Sequence, residues 1–143
     1  MTGGSGFIGS YFVERLSAEG HELVILDLID PPGWYPEVTY HKGDIRDPAA
    51  VRRALAGSDR VVHLAAANHD FGIEHDTYYS VNEAGTQVMC DAMDELGVKD
   101  ITLYSTVAVY GDAPEPHHEE APTAPNSPYG GSKIKGEGVL RAW

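Results

Sequence analysis

The chain has 143 residues, of which 42% are hydrophobic and 22% charged, and its formal net charge is -12. This length suits one domain with a real core, and the acidic balance argues against nucleic acid or an anionic membrane as a partner. No apolar run is long enough to cross a bilayer, and no basic region followed by a hydrophobic segment opens the sequence, so we expect a cytoplasmic protein.

A glycine-rich loop opens the chain. Gly4, Gly6 and Gly9 fit the G-x-G-x-x-G pattern, while Gly3, Gly6 and Gly9 fit the related G-x-x-G-x-x-G spacing. Residues without a Cβ let the backbone turn tightly and approach a pyrophosphate, which then faces the N-terminus of the following helix. Such a loop normally follows a strand, and Met1 stands where that strand's last apolar residue would be. The pattern therefore predicts a dinucleotide-binding loop whose first strand is missing.

Helices and strands alternate along the rest of the chain. Apolar residues at helical spacing predict helices, and continuous apolar runs such as 23–26 predict strands covered on both faces. This alternation implies an α/β fold with a doubly wound parallel sheet, a Rossmann fold. The predicted elements are a helix over 6–19, strands over 22–28 and 38–41, a helix from 48 to about 56, a strand over 60–67, a helix over 78–96, a strand over 101–105 and a helix from 127 or 129 to 143.

Two aspartates follow predicted strands at the edge where such sheets bind ligands. Asp27 lies near the end of the strand predicted over 22–28. At this distance from the glycine loop, an acidic residue can bond the ribose of NAD and would repel the extra phosphate of NADP. Asp44 follows the strand predicted over 38–41. Its carboxylate could accept a hydrogen bond from the amino group of adenine while Ile45 packs on the ring. Each aspartate could instead be a turn or capping residue.

Tyr129 and Lys133 are one helical turn apart and share a face. A neighbouring ammonium favours the phenolate form of a tyrosine, so the pair can do acid–base chemistry. The same spacing also occurs in ordinary surface helices. Thr106 strengthens the catalytic interpretation, because it follows the strand predicted over 101–105 at the ligand-binding edge. Its hydroxyl could hold a substrate oxygen.

Two polar clusters contain residue types that can bind metal ions. They contain His69, Asp70, His75 and Asp76, and His117, His118, Glu119 and Glu120. Neither has the spacing of a metal-binding motif, and the second lies in a proline-rich stretch, so polar loop surface is the better interpretation and we predict no metal site.

Several segments together resemble a known family. Taken in order, they are similar to the NAD-dependent sugar epimerase/dehydratase group of extended short-chain dehydrogenases/reductases. The matching segments are 2–9 (Thr-Gly-Gly-Ser-Gly-Phe-Ile-Gly), Asp27, 43–47 (Gly-Asp-Ile-Arg-Asp), 63–66 (His-Leu-Ala-Ala), 82–86 (Asn-Glu-Ala-Gly-Thr), 105–111 (Ser-Thr-Val-Ala-Val-Tyr-Gly) and 128–133 (Pro-Tyr-Gly-Gly-Ser-Lys).

The resemblance implies a role for each matching residue. Tyr129 would be the general base beside substrate and cofactor, Lys133 its electrostatic partner and a ligand of the nicotinamide ribose, and Thr106 the third member of the set. Asn82 matches a position near the active site and is expected at the substrate. The other residues assigned to NAD are Gly3, Gly6, Phe7, Ile8 and Gly9 at the pyrophosphate, Asp27 at the ribose, Asp44 and Ile45 at adenine, Leu64, Ala65 and Ala66 along the cofactor channel, and Ser105.

The implied reaction is epimerisation of a sugar nucleotide, most simply a UDP-sugar. Tyr129 would remove a hydroxyl proton while hydride passes to NAD, and the keto sugar would take the hydride back on its other face. Dehydratases of the group resemble one another in an Asp-Glu pair directly after the catalytic Thr. Val107 and Ala108 occupy these two positions and cannot transfer a proton, which favours epimerase over dehydratase. Reductases of the same group remain possible, although they more often use NADP, which Asp27 disfavours.

Relatives in this family are considerably longer than this chain. We therefore expect residues 1–143 to be a partial NAD-binding domain that lacks the first strand and the C-terminal substrate region. A non-catalytic dinucleotide-binding module and an inactive fragment remain rival interpretations, although a module of that kind needs no proton-transfer residues. Relatives usually form homodimers through the long helix and the Tyr129 helix.

Overall fold

The computed structural model describes residues 1–31, 37–68 and 72–143. The chain divides into two units, Met1–Ala65 with Val88–Tyr104 and Ala66–Gln87 with Ser105–Trp143. The elements are α1 (Phe7–Ala18), β1 (Val24–Asp27), β2 (Thr39–Lys42), α2 (Pro48–Leu55), β3 (Val61–His63), α3 (His75–Tyr79), a π-helical turn (Ser80–Ala84), α4 (Gly85–Leu96), β4 (Ile101–Leu103), a 3-10 turn (Val107–Tyr110) and α5 (Pro128–Ala142).

The first unit contains the parallel strands. β1 pairs with β2 from Val24 opposite Thr39, and β3 pairs with β4 from Val61 opposite Ile101. Thr2 forms parallel bridges to both Leu26 of β1 and His63 of β3. Residues 1–3 therefore lie between the two strand pairs and hydrogen-bond on both sides, as the end of a central strand would.

The helices of the first unit follow from local sequence. Asp47 caps α2 by accepting a hydrogen bond from the Ala49 N–H at 2.9 Å, and Pro48 occupies the first turn, as predicted. The apolar face of α2 packs on β1 and β2. Its buried residues are Ala50, Val51, Ala54 and Leu55. Arg52 of α2 also forms an ion pair with Glu95 of α4 at 2.5 Å.

The apolar spacing of the first helix is a poor guide to its buried face. Phe7, Ile8 and Tyr11 are 80%, 51% and 61% exposed, whereas Val13 is fully buried. The rings of Phe7 and Tyr11 meet edge to face, with centroids 5.4 Å apart. Helical periodicity thus gave the correct element but not the residues that pack beneath it, because packing at this position is between backbones at Gly9.

Three strands are shorter than the sequence predicts. The strand predicted over 60–67 ends at His63, so Leu64, Ala65 and Ala66 lie beyond it. The strand predicted over 101–105 ends at Leu103, and the strand over 22–28 is confined to Val24–Asp27. After β3 the apolar residues 64–67 continue past His63, so hydrophobicity alone does not locate the end of that strand.

The second unit is built from helices. Its first helical stretch begins at His75, three residues before the predicted start, and passes through the π-helical turn into α4. α5 begins as predicted, with Ser127 as its cap: the Ser127 hydroxyl accepts a hydrogen bond from the Gly130 N–H at 3.1 Å. α5 packs on α3, on the π-helical turn and on the 3-10 turn. None of the described helices is long and apolar enough to span a membrane.

Candidate functional site

The three glycines of the loop have different structural roles. Gly3 has φ of +71°, and a Cβ there would lie 2.6 Å from the Ala65 nitrogen. A Cβ on Gly9 would lie 2.3 Å from the Gly3 carbonyl oxygen, so the protein's own packing requires both glycines. At Gly6, among the described residues, a Cβ would meet nothing closer than the Gly3 oxygen at 3.4 Å. The missing side chain at Gly6 therefore leaves open space beside the loop.

The start of α1 is free of a side-chain cap. Gly6 is the N-cap residue, makes no side-chain capping bond, and is followed by no acidic residue in the first turn. The first N–H groups of a helix have no intrahelical partner, and an anion satisfies both these groups and the helix dipole. The loop and the helix terminus thus offer open space and uncompensated donors at the same place.

Asp27 contacts the loop directly. Its carboxylate accepts hydrogen bonds from the Ser5 N–H at 2.9 Å and from the Ile29 N–H at 3.2 Å. The Ser5 hydroxyl is buried and has no partner among the described residues. Sequence reasoning omitted Ser5, and nothing in the glycine spacing indicates that this position carries an orphaned hydroxyl.

A buried side-chain bond joins the loop to the end of β3. The Thr2 hydroxyl lies 2.6 Å from the His63 Nδ1 and accepts a hydrogen bond from the Ala65 N–H at 3.2 Å. Thr2 and His63 are 3% and 1% exposed. These bonds hold the backbone of Leu64 and Ala65 against Gly3, which is where the sequence places the cofactor channel.

Asp44 is held by its near neighbour Arg46. The Arg46 guanidinium donates to both carboxylate oxygens, with 2.5 Å between Nη2 and Oδ2, and the Arg46 N–H donates to Oδ1 at 2.9 Å. These hydrogen bonds hold the pKa of the Asp44 carboxyl below its ordinary value of 3.8. Ile45 is only 5% exposed, so most of its side chain belongs to the core of the first unit. The adenine roles of Asp44 and Ile45 stay predictions.

Lys133 is the unusual charged residue of the second unit. It lies in α5 one turn after Tyr129, is 3% exposed, and its ammonium has no hydrogen bond or ion pair among the described residues. Burial lowers the pKa of this ammonium to about 8, and the negative charge of Glu137, one turn further on, acts in the opposite direction. A buried amine without a partner is costly for folding alone, which points to a functional role.

The segment after β4 approaches the first turn of α5. The Thr106 hydroxyl accepts a hydrogen bond from the Ala108 N–H at 3.2 Å, which caps the 3-10 turn. A Cβ on Gly130 would lie 2.4 Å from the Ala108 oxygen, so Gly130 allows the backbones to touch. The residues after Thr106 thus lie beside the residue that follows Tyr129.

Ser105 forms a hydrogen bond with α5. Its hydroxyl donates to the Glu137 carboxylate, with 2.5 Å between the oxygens. Ser105, Thr106, Glu137 and Arg141 also line a cavity of about 370 Å³. The bond with Glu137 joins Ser105 to α5, and the cofactor contact predicted for Ser105 stays a prediction.

Asn82 braces the second unit. Its side-chain oxygen accepts from the Ala67 N–H at 2.8 Å, while its amide nitrogen donates to the Ala67 carbonyl at 3.0 Å and to the Ser132 hydroxyl at 2.8 Å. Asn82 is 3% exposed. Because the oxygen and both amide hydrogens are engaged, the contacts favour a bracing role over the expected contact with substrate.

The predicted polar loops hold no metal cluster in the part of the chain that the structure describes. His69 and Asp70 lie outside the described residues. In the second loop, the ring of His117 stacks on Tyr110 with 4.7 Å between centroids.

Comparison with known proteins identifies the family. The model of the NAD dependent epimerase/dehydratase family matches residues 1–143. The chain belongs to this family. The family assignment and the Rossmann fold predicted from the sequence are thereby confirmed.

Two curated relatives and one solved structure show the range of similar proteins. The N-acetyl-alpha-D-glucosaminyl-diphospho-ditrans,octacis-undecaprenol 4-epimerase of Escherichia coli O157:H7 is 41% identical over 143 residues, covering 100% of this chain and 42% of that relative. The dTDP-glucose 4,6-dehydratase of Streptomyces griseus is 37% identical over 153 residues, covering 96% of this chain and 46% of the relative. The solved structure is a short-chain dehydrogenase/reductase superfamily protein of Agrobacterium tumefaciens with bound NAD, which matches this chain with a TM-score of 0.90 and 31% identity. The match covers 99% of this chain and 43% of the chain in that structure. The chain spans less than half the length of these relatives.

Proposed function

We propose that this chain carries the NAD-binding and proton-transfer parts of a 4-epimerase that acts on a sugar linked to diphosphate, in the first instance a UDP-sugar. The observation that carries the proposal is Lys133, a buried side chain one helical turn from Tyr129 whose ammonium has no hydrogen bond or ion pair among the described residues. A lysine with a lowered pKa one turn from a tyrosine suits proton transfer, and a module that only binds a dinucleotide does not need such a pair.

The first unit fits the dinucleotide. The open side of Gly6, the uncapped start of α1 and the orphaned Ser5 hydroxyl suit a pyrophosphate. Asp27 would hold the adenosine ribose, and Asp44 the adenine. NAD, when bound, supplies the hydride acceptor and returns the hydride. Structures solved with bound NAD among similar proteins support this choice of cofactor.

The second unit supplies the acid–base groups. Tyr129 would take the proton from the sugar hydroxyl and return it after the sugar has turned over. Since Lys133 stays protonated below a pKa of about 8, its positive charge would stabilise the phenolate at neutral pH. The Thr106 hydroxyl would orient the reacting sugar oxygen.

Epimerisation is favoured over dehydration by the two residues that follow Thr106. Elimination of water needs an acid and a base beside the sugar, and Val107 and Ala108 provide neither. Overall similarity does not decide this question, because an epimerase and a dehydratase are 41% and 37% identical to the chain. The diphosphate carrier is likewise open, since the Escherichia coli relative is named for a lipid-linked sugar. We further propose that the enzyme is cytoplasmic and acts as a homodimer.

The test uses the 143-residue chain beside a version extended at both ends to the length of its relatives. Each is assayed for bound NAD, and for conversion of a UDP-sugar and of an undecaprenyl-diphosphate-linked sugar. We expect the extended form to hold NAD and to give the C4 epimer of the UDP-sugar without a dehydrated product. An extended form that folds but holds no dinucleotide would contradict the proposal, and conversion of only the lipid-linked sugar would correct the carrier.

A further inference from the structure

The first turn of α5 is attached to the rest of the second unit through Ser132. Its hydroxyl accepts a hydrogen bond from the Asn82 amide at 2.8 Å and donates one to the Tyr129 carbonyl at 2.8 Å. Ser132 is fully buried, and its bond with Asn82 is buried too, whereas its bond to the Tyr129 carbonyl is partly buried. The residue lies between Tyr129 and Lys133 in sequence and touches the backbone of the former.

The other end of this connection is equally fixed. The Asn82 amide closes two hydrogen bonds on the backbone of Ala67, and the Asn82 carbonyl accepts from the Thr86 hydroxyl at 2.7 Å. Asn82 sits in the π-helical turn, a local departure from α-helical geometry that is frequent at functional sites. A Cβ on Gly136 would lie 2.5 Å from the Asn82 oxygen, so the two helices are in backbone contact here.

We propose that Ser132 is a positioning residue that fixes the rotation of the first turn of α5, and with it the Tyr129 phenol relative to the Lys133 ammonium. The α5 cap does not do this alone, because the Ser127 hydroxyl bonds only within the same turn, to the Gly130 N–H. Ser132 is instead the side chain that ties the backbone of Tyr129 to a second element. This inference rests on the proposed function, since it assigns to Ser132 a role in that proton transfer.

The two serines of this turn provide a matched test in the extended, NAD-loaded enzyme. Ser132→Ala removes the link to Asn82, whereas Ser127→Ala removes a helix cap and leaves that link intact. We expect Ser132→Ala to lower kcat roughly tenfold, because small displacements of catalytic groups are costly, while KM and the dissociation constant for NAD change less than about twofold. Ser127→Ala should lower thermal stability by at least as much and kcat by less than about twofold.

The pH profile of kcat separates positioning from stability. Displacement of Tyr129 changes its geometry relative to the Lys133 ammonium, so the pH profile of kcat should shift in Ser132→Ala and stay unchanged in Ser127→Ala. Ser132→Cys, which keeps a weak donor and acceptor of similar size, should recover part of kcat. The inference is overturned if Ser132→Ala keeps wild-type kcat and pH midpoint, or if both alanine variants lose kcat in proportion to their stability. Inactivity of the wild-type enzyme on every diphosphate-linked sugar would instead reject the proposed function.

Discussion

The two units build their candidate sites in opposite ways. In the first unit, the cofactor loop depends on glycines, which have no side chain: Gly3 and Gly9 permit close backbone contacts, and Gly6 leaves space beside the loop. In the second, the site depends on buried polar side chains, with Asn82, Ser132 and Lys133 each at most 3% exposed. Loss of function should therefore arise from added atoms in the first unit and from removed atoms in the second.

The difference also separates stability from activity. Packing and backbone pairing shape the glycine loop, so errors there should disturb folding and NAD binding together. Lys133 is buried with no hydrogen bond or ion pair among the described residues, which is costly for folding, so its removal should harm only the chemistry.

Tyr129→Phe should lower turnover of the extended enzyme roughly a thousandfold, in line with the usual contribution of a general acid–base group. NAD binding should remain, because the change removes one hydroxyl from the second unit. Tyr104→Phe is the matched control: the Tyr104 ring meets Phe12 edge to face at 5.5 Å and that contact does not need the hydroxyl. Initial rates of epimerisation and NAD titration measure both, and full activity of Tyr129→Phe would remove the tyrosine from the mechanism.

Gly9→Ala should destabilise the protein by roughly 3 kcal/mol and weaken NAD binding, because the new Cβ overlaps the Gly3 carbonyl and neither backbone can move freely. Gly138→Ala makes the same chemical change within α5, where a Cβ meets nothing within 4 Å. It should stabilise the protein by about 1 kcal/mol, since alanine is the better helix former. Thermal unfolding with and without NAD measures both; equal effects of the two changes would show that the loop is not tightly packed.

Lys133→Met should abolish most turnover yet raise the free energy of unfolding at neutral pH by up to about 3 kcal/mol. The folded-state pKa of about 8 lies below the ordinary value of 10.5. Between these values the unfolded chain keeps a proton that the folded chain has released, so wild-type stability rises with pH across this window. The advantage of the variant should thus be greatest below pH 8 and vanish by pH 10.5.

Denaturant unfolding across this pH range tests the prediction, with Lys135→Met, at an exposed position of the same helix, as the control. A variant that is less stable than wild type at neutral pH would mean that Lys133 has a stabilising partner.

Arg46→Gln should have the smallest effect, a loss of about 1 kcal/mol or less at neutral pH, because the Asp44–Arg46 pair is partly exposed. The pKa of Asp44 is lowered from 3.8 by this pair, so the contribution is present above that value and is lost as the pH falls through the lowered pKa. Unfolding at neutral pH and below pH 3.8 measures it. Arg53→Gln, on exposed α2 surface, is the control, and an equal loss there would exclude a specific role for the pair.

Much of the first unit could be read from the sequence. The glycine spacing, Asp27 and the Asp47-Pro48 helix start are local signals, and the structure has the corresponding helices and strands in the expected order. The buried face of α1 could not be read, because its close contact at Gly9 carries no hydrophobic signal and Phe7, Ile8 and Tyr11 remain exposed. The end of β3 was placed too far along the chain because the apolar residues 64–67 continue beyond His63, the last residue of the strand.

Local sequence signals predict less of the candidate site in the second unit. Tyr129 and Lys133 were singled out by spacing and by resemblance to a family, but the burial of Lys133 depends on elements distant in sequence. The Asn82–Ser132 bond joins residues 50 positions apart, and an Asn or Ser in a helix has no pattern that indicates such a partner. Long-range hydrogen bonds of this kind are fixed by tertiary packing and become visible only in the structure.

The most direct test of the account follows deuterium at C4 of a UDP-sugar during its reaction with the extended, NAD-loaded enzyme in ordinary water. Hydride that leaves C4 and returns to its other face never exchanges with solvent, so the account predicts a C4-epimeric product that retains the deuterium. Loss of the label to water, or a dehydrated keto sugar as the product, would contradict it.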